Sequence, residues 1–255
     1  MVSGINYDEK QGSRGLPMIR FIWLNAFIGL NTIVVSVVVL ALSLIDRSGR
    51  LVHRYCAVPW ARLILRVCDV DVEVRGLEHV KKDAPQIFMV NHQSIFDIFA
   101  LLSVLPVDFK FILKEELMRI PILGFSMRKA GYIGIDRENP RRAIRSMNLA
   151  AGRIEGGASV VIFPEGTRSE DGQVLDFRPG GFHLAMKSGC DIVPIAIIDS
   201  RRITPKGSLR IERGGFSMVI GTPISVKNYT KREMDRLMKE VRDAIIGQMS
   251  EGQGE

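Results

Sequence analysis

Cysteine is scarce. The 255 residues hold three, Cys56, Cys68 and Cys190, widely spaced and odd in number. That excludes a disulfide-rich secreted scaffold and a local Cys-x-x-Cys metal knuckle, and it points to a reducing compartment. The four histidines, His53, His79, His92 and His183, take no zinc-binding spacing. No Gly-x-Ser-x-Gly elbow is present for a covalent serine. A Gly-x-x-x-x-Gly-Lys-Ser/Thr loop and a Gly-x-Gly-x-x-Gly fingerprint are missing too, which removes the common nucleotide-binding signatures. There is no internal repeat, and no low-complexity tract beyond a Gly/Glu-rich tail at residues 251–255.

What is present is a chain of near-average make-up, 46% hydrophobic and 25% charged. Its length suits one α/β domain, or one with a membrane anchor. Lys and Arg number 35 against 28 Asp and Glu, a net charge of +7. Such a surplus fits nucleic acid, or an anionic membrane and anionic substrates.

The N-terminal part favours the membrane. Residues 21–45 carry no charge, with Trp23 near one end. A helix of 25 residues reaches about 37 Å, against a hydrocarbon core of about 30 Å. The run is too long for a signal-peptide core. Asn25, Gly29 and Asn31 interrupt it, so a helix that enters one leaflet and returns is an alternative to a full span. Lys10, Arg14 and Arg20 precede the run, offset by Asp8 and Glu9; Arg47, Arg50, Arg54, Arg62 and Arg66 follow it, offset only by Asp46. Cationic flanks stay inside, which places the bulk of the chain on the cytoplasmic side. Residues 55–67 are amphipathic, suiting either an anionic interface or the surface of the globular domain. With the basic charge explained in this way, and no groove-reading basic helix, nucleic acid is not an expected partner.

Beyond residue 69 the pattern alternates. Strands are expected at 70–74 (an edge strand), 86–90, 109–113, 132–135, 158–163, 191–198 and 216–220, the last pairing at an edge. Helices are expected at 95–105, 139–155 with Asn139 as N-cap and Pro140 at the first position, 182–188 closed by Gly189, and 230–249 with a Thr230/Glu233 capping box. This is an α/β chain: a mixed sheet flanked by helices, behind an N-terminal hydrophobic helix or two-helix membrane motif. The expected division is a polar tail (1–16), membrane-anchoring helices (17–68), a catalytic domain (69–250) and a flexible tail (251–255).

Two segments carry candidate chemistry, each directly after a strand, where α/β proteins place reactive groups. The first is Asn91-His92-Gln93-Ser94-Ile95-Phe96-Asp97. On one straight helix His92 and Asp97 lie about 140° apart and do not meet. They meet if His92 sits in the turn and Ser94 caps a helix whose first turn holds Asp97. His92 is then a general base oriented by the acid. The same spacing also fits a Ser94/Asp97 capping pair with no chemical role. The second segment is Phe163-Pro164-Glu165-Gly166-Thr167-Arg168-Ser169. Backbone amides near Gly166 and Thr167, beside the Arg168 guanidinium, suit a phosphate monoester. A surface turn with a Glu–Arg ion pair is the alternative. Lys114, Arg137 and Arg178 also follow or adjoin strands, and several cations at strand ends favour an anionic substrate.

These blocks resemble the glycerophospholipid acyltransferase family, in particular its lysophosphatidic acid acyltransferases. Residues 91–97 are similar to the family's His-x-x-x-x-Asp block. Lys114-Glu115-Glu116-Leu117 with Pro121-Ile122-Leu123-Gly124 is similar to the stretch that follows. Residues 131–137 resemble the second block, 163–169 match Phe-Pro-Glu-Gly-Thr-Arg-Ser at every position, and Val193-Pro194-Ile195-Ala196-Ile197 resembles the fourth. Gly134 departs from the usual bulky apolar residue, and Phe177-Arg178-Pro179-Gly180-Gly181 from the usual Phe-Lys-x-Gly. The resemblance implies acyl transfer from acyl-CoA or acyl carrier protein to the free hydroxyl of lysophosphatidic acid in a membrane. His92 would be the base and Asp97 its partner. Arg168, Lys114, Arg137, Gly166 and Thr167 would bind phosphate, and Asn91, Ser94, Glu165 and Pro194 would support them, with Glu165 orienting Arg168. The thioester is already activated, so no metal or cofactor is implied. Another lysolipid or glycerol 3-phosphate as acceptor, and a non-catalytic membrane lipid-binding protein, are the alternatives.

Overall fold

The computed structural model describes residues 17–136 and 139–253. Its centre is a mixed seven-stranded sheet. In chain order the strands are β1 (Val70–Arg75), β2 (Ile87–Val90), β3 (Phe109–Lys114), β4 (Ile133–Ile135), β5 (Ser159–Ile162), β6 (Ile192–Ile198) and β7 (Gly214–Ile220). Across the sheet they run β1-β7-β6-β2-β5-β3-β4. Every neighbouring pair is parallel except β6 with β7. The central strands β2, β5 and β6 are buried at every position, as their nearly unbroken apolar runs require. β1 alternates and lies at an edge. β7 does not lie at an edge: it sits between β1 and β6. Its alternating burial reports a single covered face and says nothing of its lateral neighbours.

Helices cover both faces. The helices are α1 (Pro17–Leu42), α2 (Arg50–Val52), α3 (Val58–Cys68), α4 (Phe96–Val104), α5 (Leu123–Lys129), α6 (Pro140–Glu155), α7 (Gly180–Ser188) and α8 (Met234–Gln253), with a π-helical stretch, His53–Ala57, joining α2 to α3. On β2 alternate residues part the two cores. Phe88 and Val90 face α3 and α4, while Ile87 and Met89 face α6, α7 and α8. The expected caps are present. Asn139 Oδ1 accepts the Arg142 N–H, Gly189 ends α7 at φ 65°, and Thr230 and Glu233 close a capping box. α8 continues to Gln253, so residues 251–253 are helical.

The N-terminal helices are integral to this core. Ala61, Ile64 and Cys68 of α3 are fully buried beside Phe88 and Phe96, so the division expected after Cys68 runs through continuous packing. α1 is one helix, long and apolar enough to cross a membrane, and much of its surface is exposed. Its polar groups tie it to the domain. Arg20 donates to the carbonyls of Ile211 (2.6 Å) and Cys68 (3.2 Å), and Asn25 donates to that of Leu209 (3.1 Å).

Candidate active site

β2, β3, β5 and β6 are mutually parallel, so their carboxyl ends share one edge of the sheet. Asn91-His92, Lys114, Phe163 and Ser200 leave the sheet at that edge. Asn91 locks the site to its neighbour strand: its amide donates to the Ile197 carbonyl (2.8 Å), and its Oδ1 accepts the Ile197 N–H (2.7 Å). His92 therefore sits in the turn before α4, and Asp97 in that helix's first turn. His92 Nδ1 lies 2.7 Å from Asp97 Oδ2.

Asp97 is fully buried and held by three further donors. Oδ2 accepts the N–H groups of Gln93 (2.8 Å) and Ser94 (2.9 Å), and Oδ1 accepts the Ser200 hydroxyl (2.5 Å). A carboxylate surrounded by donors takes its remaining hydrogen bond from His92 Nδ1–H; in the neutral ring the open lone pair is then on Nε2, the tautomer a general base needs. The expected Ser94 cap is not the one observed: α4 starts at Phe96 with Ile95 at its N-cap and no side-chain cap hydrogen bond, and Ser94 stays in the preceding turn. Asp97 closes the turn onto Ser94, and Ser94 Oγ accepts the Phe96 N–H (3.3 Å) while donating to the Thr204 carbonyl (2.9 Å). The His92 ring stacks on Phe163 with centroids 3.9 Å apart, which fixes its plane.

The turn after β5 differs from expectation in two respects. Gly166 takes φ 76°, and its N–H is already bound to the Phe163 carbonyl at 3.0 Å, so that amide shapes the turn. Glu165 does not orient Arg168. It is buried, with Oε1 accepting the His92 N–H (2.8 Å) and Oε2 the Leu175 N–H (2.9 Å). Burial pushes its carboxyl up to about 7, against those two donors, which favour the ionised form. The sequence could not separate a carboxylate facing Arg168 from one turned back on the backbone. Thr167 and Arg168 have no hydrogen-bond or ion-pair partner among the described residues, and Arg168 is half-buried.

A cavity of about 540 Å³ opens on His92 and Phe163. Gly166, Thr167, Arg168 and Lys114 line its polar end; Lys114 is itself 3.4 Å from Glu116. The rest is apolar and reaches α1 at Ile28, Val35 and Val39, and α5 at Leu123 and Met127. Pro194 lies away from it on β6, opposite Met89, where its carbonyl accepts the Gly221 N–H. Arg178 is exposed just before α7. Arg137 lies outside the described residues. Sequence reasoning missed Ser200, which braces Asp97 from 103 residues away, and Lys206, which lines the cavity and pairs with Glu170 at 3.0 Å. Neither belongs to a local motif. The only sequence signal was that Ser200 closely follows an apolar strand.

A family model described as Acyltransferase matches residues 71–198, half of the chain, and contains the His92–Asp97 pair and the Phe163 to Ser169 turn. The chain belongs to the acyltransferase family. A 1-acyl-sn-glycerol-3-phosphate acyltransferase from Brassica napus is 35% identical over 209 residues, 81% of this chain and 59% of its own length. The alpha form from Homo sapiens is 32% identical over 178 residues, 69% of this chain and 63% of its own. The chain thus spans about three fifths of these relatives. The crystal structure of the 1-acyl-sn-glycerophosphate (LPA) acyltransferase PlsC from Thermotoga maritima superimposes with a TM-score of 0.80 at 26% identity, covering 94% of this chain and 97% of that one. The acyltransferase fold expected from the sequence motifs is the fold observed.

Proposed function

We propose that this acyltransferase-family protein moves a fatty acyl group from an acyl thioester to the free hydroxyl of lysophosphatidic acid, producing phosphatidic acid. The observation that carries the reading is the His92–Asp97 pair at 2.7 Å, opening on a cavity with cations at one end and an apolar lining at the other. His92 Nε2 takes the acceptor's hydroxyl proton as the oxygen attacks the thioester carbonyl. Asp97 stabilises the imidazolium, which then returns its proton to the departing thiolate. General base catalysis of this kind contributes about 10²–10⁴-fold. Arg168 is the chief phosphate contact because no group among the described residues neutralises it, with Lys114 as a second cation. The Thr167 N–H, unengaged among the described residues, is a backbone donor for phosphate or oxyanion. Names of the relatives support lysophosphatidate as the acceptor. The donor is acyl-CoA or an acyl carrier protein, and this thioester chemistry requires no metal or other cofactor. The apolar α1 surface supports a membrane location, and the cationic flank after it supports a catalytic domain on the cytoplasmic side.

The test is acyl transfer from labelled acyl-CoA, and separately from acyl carrier protein, to lysophosphatidate in membranes carrying wild type or His92→Ala. Turnover that falls at least 100-fold in the variant at equal protein level is expected. Turnover on other lysolipids but never on lysophosphatidate would overturn the acceptor; equal turnover in both chains would overturn the base.

A further inference from the structure

We infer that residues 117–129 form a second lipid-contacting element, separate in sequence from the N-terminal helices and lying flat on the bilayer beside α1. This rests on the membrane reading of α1 above. The segment carries three large apolar side chains in the open that take no part in the cavity: Ile120, Ile122 and Phe125 are 42%, 44% and 47% exposed, while Leu117, also exposed, lines the cavity. No core need explains them, because the same segment packs with its other face. Leu123, Ser126, Met127 and Ala130, at helical spacing, line the cavity, while Ile122, Phe125 and Lys129 take the opposite side.

The turn that presents Ile122 is a costly one. Ile122 sits at φ 63°, ψ −61°, and the Leu123 N–H reaches the Pro121 carbonyl at 2.6 Å, a γ-turn that L-residues rarely adopt. A branched apolar residue held there and pointed outward is a poor choice for water and a fitting one for hydrocarbon. The charges agree. Arg119, Arg128 and Lys129 ring the patch, and the Arg128 and Lys129 heads lie 5.7 and 5.4 Å from the centre of the Phe125 ring. Of the two nearby acids, Glu116 is paired with Lys114 and Glu115 is turned in against Gly134. Apolar tips beneath a ring of cations match the acyl layer and headgroups of an anionic leaflet.

The patch is also continuous with the one surface already assigned to lipid. α5 packs directly on α1, whose Ile33, Val34, Val37 and Val38 are each at least half exposed. The cavity wall between them is made by α1 on one side and α5 on the other. An acyl chain therefore lies at membrane level as soon as it leaves the cavity.

The experiment is depth-resolved quenching in the full chain, reconstituted in nanodiscs that contain anionic lipid. Trp23 and Trp60, the two tryptophans, are replaced by phenylalanine, and one probe is installed at a time: Ile122→Trp, Phe125→Trp, Val37→Trp on α1, or Leu149→Trp, which is exposed on α6 away from the patch. Lipids brominated near the headgroup end of the chain should quench the probes at 122 and 125 at least half as strongly as the probe at 37, and leave the probe at 149 unchanged. Quenching at 37 without quenching at 122 or 125 would overturn the inference and keep the membrane reading. No quenching at 37 would overturn the membrane reading itself. A spectral change at 122 that follows protein concentration and ignores bromine would assign the patch to a second copy of the chain, and also overturn it. In parallel, Ile122→Asp/Phe125→Asp should raise KM about tenfold for an acceptor presented in vesicles and leave turnover of a monomeric short-chain acceptor unchanged. An equal loss on both acceptors would mean a structural role only.

Discussion

Asp97 shows how far one side chain can be over-determined. It closes the turn before α4, orients the histidine and accepts a hydroxyl from a distant loop, all through two oxygens. Removing the Ser200 hydroxyl deletes a donor to a buried charge, an interaction worth about 1.5–3 kcal/mol. Ser200→Ala is therefore expected to lower kcat about tenfold or more with little change in KM, and Ser200→Thr to recover more of it; steady-state kinetics on both variants checks this. Glu165 gives a pH signature. Its folded carboxyl titrates near 7 against an ordinary 4.5, so the folded state holds the extra proton between those values. That contribution to stability is fully present below about 4.5 and is lost as pH climbs through about 7. Melting temperature should thus fall over this range in wild type and fall less steeply in Glu165→Gln, as followed by circular dichroism. The residue types at His92, Asp97 and Arg168 were legible in sequence. The orientation of Glu165 was not, because a buried and an ion-paired glutamate look alike without the backbone around them.

At the level of elements, the strand-end turns and the α5 segment carry the specialised geometry. Gly124 shows the constraint: a Cβ there would lie 2.1 Å from the Met118 carbonyl oxygen, a backbone atom that cannot swing aside. Gly124→Ala should displace the start of α5, lowering Tm by several degrees, consistent with a loss of about 1–3 kcal/mol for forced overpacking. Thermal unfolding measures it. Gly134 is a related case and accounts for one departure from the family pattern. A side chain there would meet the Glu115 carboxylate and Met118, so the bulky residue usual in the family cannot fit while Glu115 turns inward. The helix and strand periods were readable along the chain, but β7's place between β1 and β6 was not, since lateral pairing leaves no mark on alternation.

At the scale of the whole molecule, the N-terminal helices and the α/β domain share one core. Ile64 and Leu65 of α3 alone bury side chains worth about 3–6 kcal/mol together, a large share of the 5–15 kcal/mol that a domain commonly has. A chain begun at Asp69 is expected to lose cooperative unfolding and to aggregate. Size-exclusion chromatography with calorimetry decides this, and a monomer with a sharp transition would show the helices to be dispensable. The same packing brings the cavity onto α1: part of its apolar wall is supplied by the helix that is long and apolar enough to cross a membrane.

The alternating α/β order, the apolar first helix, the caps at Asn139 and Thr230, and the two strand-end segments that hold the candidate site residues were readable from the chain alone. All of these depend on neighbours within a few positions, where periodicity and capping chemistry operate. The packed fold was needed to show that Ser200 braces Asp97, that Glu165 holds the His92 backbone instead of Arg168, and that α3 completes the core. Those outcomes arise where parallel strands distant in sequence bring their carboxyl ends to one edge. Burial and hydrogen-bond satisfaction there are settled by groups that local pattern cannot see.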